Sequence, residues 1–309
     1  MTARPRILVI KLGALGDFVQ ATGCFAAIRA HHRDAEITLL TSPTYVSLGA
    51  MSPYFDHVIG DEHVGPFRLL AWWRRRQTLR AQHFDRVYDL QTSDRSSFYF
   101  HLMRPGKRPE WSGIARGASH PHANPRRDFM HALDAKTEQL RMAGIDHVPP
   151  PDVSWAGQAM KSFAPPERFL LLVPGAAPHR PKKRWPVERY AALGKIAAER
   201  GVTSIVIGNA PETSLAQAIV AAVPAAIDLT ARTTIGNLAW LGSLAQGAVG
   251  NDTGPMHLLV AAGSPATVLY SSESDPALTA PRGTRVTILR KPELADLSVA
   301  EVAATLPFG

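Results

Sequence analysis

Arg6-Ile-Leu-Val-Ile-Lys-Leu-Gly-Ala-Leu-Gly-Asp17 opens the chain as strand, turn and helix in immediate succession. Four apolar residues, Ile7 to Ile10, have the continuous pattern of a strand buried on both faces. Gly13 and Gly16 punctuate a turn, and Asp17 begins a helix expected to reach about His32. Working outward, Glu36–Thr41, Asp56–Ile59 and Arg86–Leu90 are further strand patterns with helical stretches between them. Strands alternating with helices at this spacing predict a parallel sheet covered on both faces.

The pattern restarts after Pro149, Pro150 and Pro151, with Pro165 and Pro166 close behind. Such a proline-rich, weakly patterned bridge marks a domain boundary, giving expected domains 1–150 and 151–309. Phe169–Val173, Thr203–Ile207, Gly247–Gly250 and Ala266–Tyr270 are strands, and helices are expected over 187–200, 212–223, 234–245 and from about 254. Ser298-Val-Ala-Glu301 has the spacing of a capping box for a last helix. The fold class is therefore α/β, two doubly wound Rossmann-like units in tandem. Ligands of such sheets sit beyond the carboxyl ends of the strands, and with two units facing each other the cleft between them is the expected site.

Composition narrows the possibilities. The chain has 309 residues, 45% hydrophobic and 19% charged, too apolar for a disordered protein. Its apolar runs fall short of the ~20 residues that span a bilayer, and Lys11 and Asp17 interrupt any secretory-signal reading of the N-terminus. The single cysteine, Cys24, excludes an intrachain disulfide and a cysteine-based zinc site. A cytoplasmic chain without a metal is expected. The formal net charge is +8, with +5 (20 − 15) up to residue 155 and +3 (14 − 11) beyond it. A basic excess suits an anionic partner.

Three stretches fall where a strand ends. In Lys11-Leu-Gly-Ala-Leu-Gly-Asp17 the glycines let backbone approach a ligand, and Asp17 presents a carboxylate whose charged form the helix dipole favours. The alternative is a helix cap, Asp17-Phe-Val-Gln20. Pro174-Gly-Ala-Ala-Pro-His-Arg-Pro-Lys-Lys-Arg-Trp-Pro186 sets Lys182, Lys183 and Arg184 before a helix, either a phosphate site or a solvated basic loop. In Val249-Gly-Asn-Asp-Thr-Gly-Pro-Met-His257 the amides of Thr253 and Gly254 face where a pyrophosphate could sit, with His257 a turn later. Asp252 would repel phosphate, so it is expected to meet sugar hydroxyls. A capping turn with a core-facing histidine is the alternative.

These residues resemble the ADP-heptose:lipopolysaccharide heptosyltransferases of glycosyltransferase family 9, from about Arg6 to Leu306. The resemblance is carried by K-L-G-A-L-G-D (11–17), P-G-A (174–176) with K-K-R-W-P (182–186), and N-D-T-G-P-M-H (251–257). It implies a GT-B fold, an acceptor domain followed by a nucleotide-sugar domain, and inverting transfer without a metal or other cofactor, ADP-heptose being the donor substrate. It implies Asp17, beside Gly13 and Gly16, as catalytic base and Lys183 as the cation that neutralises the diphosphate. Thr253 and Gly254 match the diphosphate turn, and Asp252 and His257 its sugar-side and phosphate-side partners. Glu212 falls where the family has an acid near the ribose, and Thr233 near the adenine loop. Two departures stand out: Ala-Thr-Gly (21–23) where the family has a proline, and Ser-Ser-Glu-Ser-Asp-Pro (271–276) where it commonly reads Gly-x-Thr-x-Pro.

For the acceptor, Arg68, Arg74, Arg75, Arg76 and Arg80 share an expected helix with Trp72 and Trp73. Arg104, Lys107, Arg108, Arg116, Arg126 and Arg127 form a second basic stretch. These would suit the carboxylates and phosphates of a lipopolysaccharide inner core, or rest peripherally on an anionic membrane surface. A solvated arginine face with the tryptophans in the core is the alternative. Nucleic acid is not expected, since no binding module accompanies the basic residues. Other readings are a different nucleotide sugar or a protein acceptor on the same fold, or a non-catalytic ADP-sugar binder. The two-glycine turn lacks the three-glycine fingerprint of a dehydrogenase.

Overall fold

The computed structural model describes residues 4–62, 69–103, 108–177 and 179–308. Arg68, Arg104 and Lys107 lie outside the described residues. The chain divides into two compact units, Met1–Pro151 and Asp152–Gly309.

The first unit holds β1 (Arg6–Ile10), β2 (Glu36–Thr41), β3 (His57–Gly60), β4 (Arg86–Asp89), β5 (Glu110–Gly113) and β6 (His120–Pro121), all parallel, in the order β3-β2-β1-β4-β5-β6. The second holds β7 (Phe169–Val173), β8 (Thr203–Val206), β9 (Ile227–Asp228), β10 (Gly247–Asn251), β11 (Ala266–Tyr270) and β12 (Val286–Arg290), in the order β12-β11-β10-β7-β8-β9. Counted from its own first strand, each sheet reads 3-2-1-4-5-6, the doubly wound order. The α/β expectation of two Rossmann-like sheets in tandem holds.

The central strands are apolar because both faces are covered. Every residue of β7 and β11 is buried. Leu171 and Val173 pack on one face of the second sheet with Met256 and Leu259, while Leu170 and Leu172 pack on the other with Trp185 and Leu193. In the first unit Leu8 and Ile10 join Tyr99 and Trp111 in one cluster. Among the described residues no helix is long and apolar enough to cross a membrane.

Several elements differ from expectation. The helix expected from Asp17 to His32 is two, Leu15–Gln20 and Thr22–His31, divided at Ala21. Gly16 therefore lies inside a helix rather than in the turn before it. The strands β5, β6, β9 and β12, the last three of them at sheet edges, are not predicted by the sequence pattern; β6 and β9 have two residues each, too short for any period to show. The Ser298 capping box is present, with Glu301 N–H donating to Ser298 Oγ at 3.2 Å and Ser298 N–H to Glu301 Oε2 at 2.8 Å.

One strand residue has no room for a side chain. A Cβ on Gly250 would stand 2.6 Å from both Met256 Sδ and Val173 Cβ. That contact lets the helix after β10 lie directly on the sheet. Gly250→Ala is expected to destabilise the protein by about 1–3 kcal/mol, the usual range for overpacking. Equilibrium urea unfolding measures it, and a midpoint equal to that of the unsubstituted chain would contradict this packing.

Candidate active site

In each sheet the strand order reverses at its first strand, β1 in one unit and β7 in the other, and the loops leaving that point hold the residues of interest. In the second unit they are held by Asn251, the last residue of β10 and fully buried. Its Nδ2 donates to the carbonyls of Pro174 (2.9 Å) and Gly175 (3.1 Å). Its Oδ1 accepts from Trp185 N–H (3.0 Å) and Tyr190 O–H (3.1 Å). One amide thus ties the loop after β7 and the start of helix Val187–Glu199 to the end of β10.

Lys183 and Asp252 meet across that seam, Nζ to Oδ2 at 2.6 Å, with side chains only 12% and 10% exposed. His257 Nε2 lies 3.9 Å from Asp252 Oδ1. Burial disfavours the Asp252 carboxylate, but hydrogen bonds from His257 and Lys183 and the lysine's charge outweigh it, holding the group well below the usual carboxylate range. Thr253 precedes helix Gly254–Ala261 without capping it through its side chain, and its Oγ1 is buried with no partner. The first helical amide, Gly254 N–H, has no intrahelical acceptor. The basic run diverges instead of converging: Lys182 pairs with exposed Glu293 at 3.3 Å, and Arg184 donates to the Ala176 carbonyl at 3.1 Å.

Glu212 closes a capping box on Asn209, whose N–H donates to Glu212 Oε2 at 2.7 Å. Its side chain covers Gly175 and Gly208, where a Cβ would come within 2.7 and 2.9 Å of it. It therefore sits over the loop after β7. Thr233 lies in the connection from β9 to helix Ile235–Leu244, one residue before the capping Thr234. The divergent loop after β11 is tied to the loop after β7 by Arg180, which donates to the Glu273 carbonyl at 3.3 Å.

In the first unit the turn after β1 needs a glycine. Gly13 has φ +139°, and a Cβ there would stand 2.7 Å from the Tyr45 ring. Leu12 fixes the turn from both sides, its N–H donating to Gln91 Oε1 at 3.0 Å and its carbonyl accepting from Ser42 Oγ. The helix begins at Leu15 with Ala14 as its cap residue, so Asp17 is not a cap: it lies exposed in the first turn. Beneath it Lys11 is buried, and burial together with the charge of Lys136 lowers its ammonium to about 8, against the pull of Asp17 and Asp89. Burial likewise raises Asp89 to about 6. Beside the turn opens a cavity of about 380 Å³, lined by Gly13, Tyr45, Gln91 and Arg95 among others.

The arginine helix, Leu69–Ala81, separates the residues expected to act together. Arg74 is exposed. Arg75 Nη2 pairs with buried Asp61 at 2.8 Å, and Arg76 Nε donates to the Leu102 carbonyl at 3.2 Å. Trp72 packs on Phe98 and Tyr99, while Trp73 is 56% exposed, so only one tryptophan faces inward. Arg108, Arg116 and Arg126 are exposed, and Arg127 lies 3.6 Å from Asp128.

The family model for glycosyltransferase family 9 (heptosyltransferase) matches residues 72–302, three quarters of the chain. The chain belongs to glycosyltransferase family 9. It is a glycosyltransferase of GT-B fold. It is 24% identical over 304 residues to the lipopolysaccharide core heptosyltransferase OpsX of Haemophilus influenzae, covering 91% of this chain and 83% of that one. Among solved structures, the family 9 glycosyl transferase of Veillonella parvula matches with a TM-score of 0.83 at 20% identity, over 97% of this chain and 95% of that one. The ADP-heptose lps heptosyltransferase II of Escherichia coli matches at 0.79 and 20%, over 97% of each.

In this family 9 chain the structure brings Lys183, Asp252 and His257 together beside Thr253 and Gly254, and sets Asp17 next to Gly13. Among the described residues no group of three histidine, cysteine or acidic side chains could hold a metal ion. By sequence Asn251 lies in the 251–257 motif without an assigned role, and Asp61, Gln91 and Arg95 are not singled out. For Asn251 there was a signal: a polar residue ending an otherwise apolar, doubly covered strand must find partners. Asn251→Ala should cost roughly 3 kcal/mol, since buried groups lose their partners at once. Asn251→Asp, which cannot donate to the two carbonyls, should also destabilise. Thermal unfolding of both variants checks this, and an unshifted midpoint in either would show that the seam is held by other contacts.

Proposed function

We propose that this enzyme transfers a heptose from ADP-heptose to a hydroxyl of a lipopolysaccharide inner core, with inversion and without a metal. The observation that carries the reading is Asp17: an exposed carboxylate beside a glycine turn at a strand-order reversal, in a helix that it does not cap. Relatives named as lipopolysaccharide heptosyltransferases over most of the chain support the donor and acceptor classes.

The second unit is the nucleotide-sugar domain in this reading. Lys183 and the amides at Thr253 and Gly254 take the charge that develops on the departing diphosphate, an electrostatic role worth about 10²–10³ in rate per donor. Asp252, already bonded to Lys183, orients that cation and receives sugar hydroxyls, and His257 adds a donor on the phosphate side. Glu212 and Thr233 serve the nucleoside. The first unit binds the acceptor. As the acceptor oxygen attacks the anomeric carbon opposite ADP, the C–O bond to diphosphate breaks and Asp17 accepts the hydroxyl proton. The proton becomes acidic only as the new bond forms, so a weak base is adequate. Peripheral attachment to an anionic membrane surface, with exposed Trp73 and Arg74 as contacts, belongs to the same proposal.

With ADP-heptose the preferred member of a nucleotide-sugar panel, Asp17→Asn should lower turnover ~10²-fold or more while leaving ADP affinity intact. Near-normal transfer in that variant would remove Asp17 from the chemistry.

EDTA treatment followed by assay in metal-free buffer should leave the rate unchanged. Loss of transfer restored by Mg²⁺ or Mn²⁺ would take charge neutralisation away from Lys183.

A further inference from the structure

Asp17 stands in a helix of only six residues, Leu15–Gln20. A helix that short closes too few internal hydrogen bonds to hold itself in place. The position of its carboxylate therefore depends on the turn before it, and that turn is held from the strands on either side. β1 and β4 are neighbours, with Ile10 opposite Asp89, so Leu12 and Gln91 leave the sheet next to each other. The Leu12 N–H donates to Gln91 Oε1 at 3.0 Å. From the other side, the loop after β2 supplies Ser42, whose hydroxyl donates to the Leu12 carbonyl, and the Tyr45 ring against Gly13.

Gln91 is placed by a strained reversal of its own chain. Asp89, fully buried at the end of β4, accepts the N–H groups of Gln91 (3.1 Å) and Thr92 (3.0 Å) on its Oδ1. Thr92 stands at φ +47°, a left-handed conformation that a β-branched residue rarely adopts. Such strain persists only where the surroundings over-determine it, and it clusters at functional sites. Here it accompanies the turn that brings the Gln91 amide back over the end of β1, so a buried carboxylate, a strained threonine and a glutamine together address one backbone N–H.

We propose that Gln91 is a positioning residue for Asp17: by accepting the Leu12 N–H, it sets where the Gly13 turn carries the carboxylate. The inference rests on Asp17 as the base, as assigned above. A general base works only within about 2.6–3.2 Å of the proton it takes, and a misplacement of about 1 Å can lower the rate 10²-fold. Gln91 is half-buried at the wall of the cavity beside the turn, so its replacement leaves the apolar core of the sheet intact.

Steady-state kinetics of Gln91→Met, similar in size but without an oxygen acceptor, provide the test. Its kcat should fall ~10–100-fold. The KM for the sugar donor and the affinity for ADP should stay unchanged, because the nucleotide-sugar site is assigned to the other unit. Gln91→Glu keeps an oxygen for the Leu12 N–H and should retain most of kcat. In an Asp17→Asn background Gln91→Met should bring no further loss, since residues that act through one another are not additive. Gln91→Asn, a methylene too short to reach Leu12, should repeat the loss if thermal unfolding shows Gln91→Met to be unstable.

A folded Gln91→Met with normal kcat overturns the proposal. An equal loss in the Asp17→Asn background also overturns it, because Gln91 would then act independently of the base. So does a Gln91→Glu as slow as Gln91→Met, which moves the role to the Nε2 donor. Near-normal transfer by Asp17→Asn alone removes the base reading and the inference with it. A slow Asp17→Asn beside a normal Gln91→Met sinks the inference and leaves the base reading standing.

Discussion

Asn251 is the constraint on which the second unit's site depends. A primary amide offers two donor hydrogens and a two-lone-pair acceptor, and here each is used by a different piece of backbone or side chain. A buried amide with unmet partners would cost several kcal/mol, whereas a fully met one rigidifies its surroundings. The loop after β7 contains four prolines in its first thirteen residues and can form few hydrogen bonds of its own. Its geometry is imposed from β10, and Lys183 arrives against Asp252 because both ends of its segment, 174–175 and 185, are pinned to one side chain.

The two units solve the same topological problem with different chemistry. Each sheet reverses strand order at its first strand, which leaves a crevice where the strand's carboxyl end is uncovered. In the first unit the turn is short, and it passes Tyr45 because Gly13 has neither a Cβ nor a preference for negative φ. The charge beneath that turn is buried, with Lys11 lowered to about 8 and Asp89 raised to about 6. Desolvation is the largest cause of both shifts, and the carboxylate of Asp17 stands exposed at the surface of the turn above them.

Much of this was legible in the chain, and the boundary of legibility has physical causes. β1, β2, β7, β10 and β11 were readable to within a residue because strands covered on both faces are continuous apolar runs. Helix starts that depend on side-chain caps, such as Ser298, were also readable. Asp17 misled, since an acid followed by a glutamine three residues later fits a cap, while backbone geometry at Ala14 starts the helix earlier. Arg75 could not be separated from Arg74 by sequence. Its fate depends on Asp61, fourteen residues upstream, which the parallel pairing of β2 with β3 brings beneath the arginine helix. Local spacing carries cores and caps, but a cation's occupation is decided by a partner from another element.

That partnering has a consequence for how a basic protein presents charge. Lys183 is bound to Asp252, a pair that contributes little long-range field, and Arg75 and Arg95 share Asp61, which cancels one of their two charges. An ion pair that is mostly buried gains modest net stability, because desolvation offsets attraction, but it fixes direction. Attraction at a distance must come from the unpaired surplus, the excess of eight positive charges over the whole chain, of which exposed Arg74, Arg116 and Arg126 are part. Such surface charges act within about 8–10 Å at physiological salt and raise encounter rates more than affinity. Under the proposed function this divides the labour: exposed arginines would gather an anionic ligand, and paired, buried cations would hold the geometry in which it reacts. A substitution among the first group should therefore be felt through salt dependence, and among the second through orientation, even though both remove the same charge.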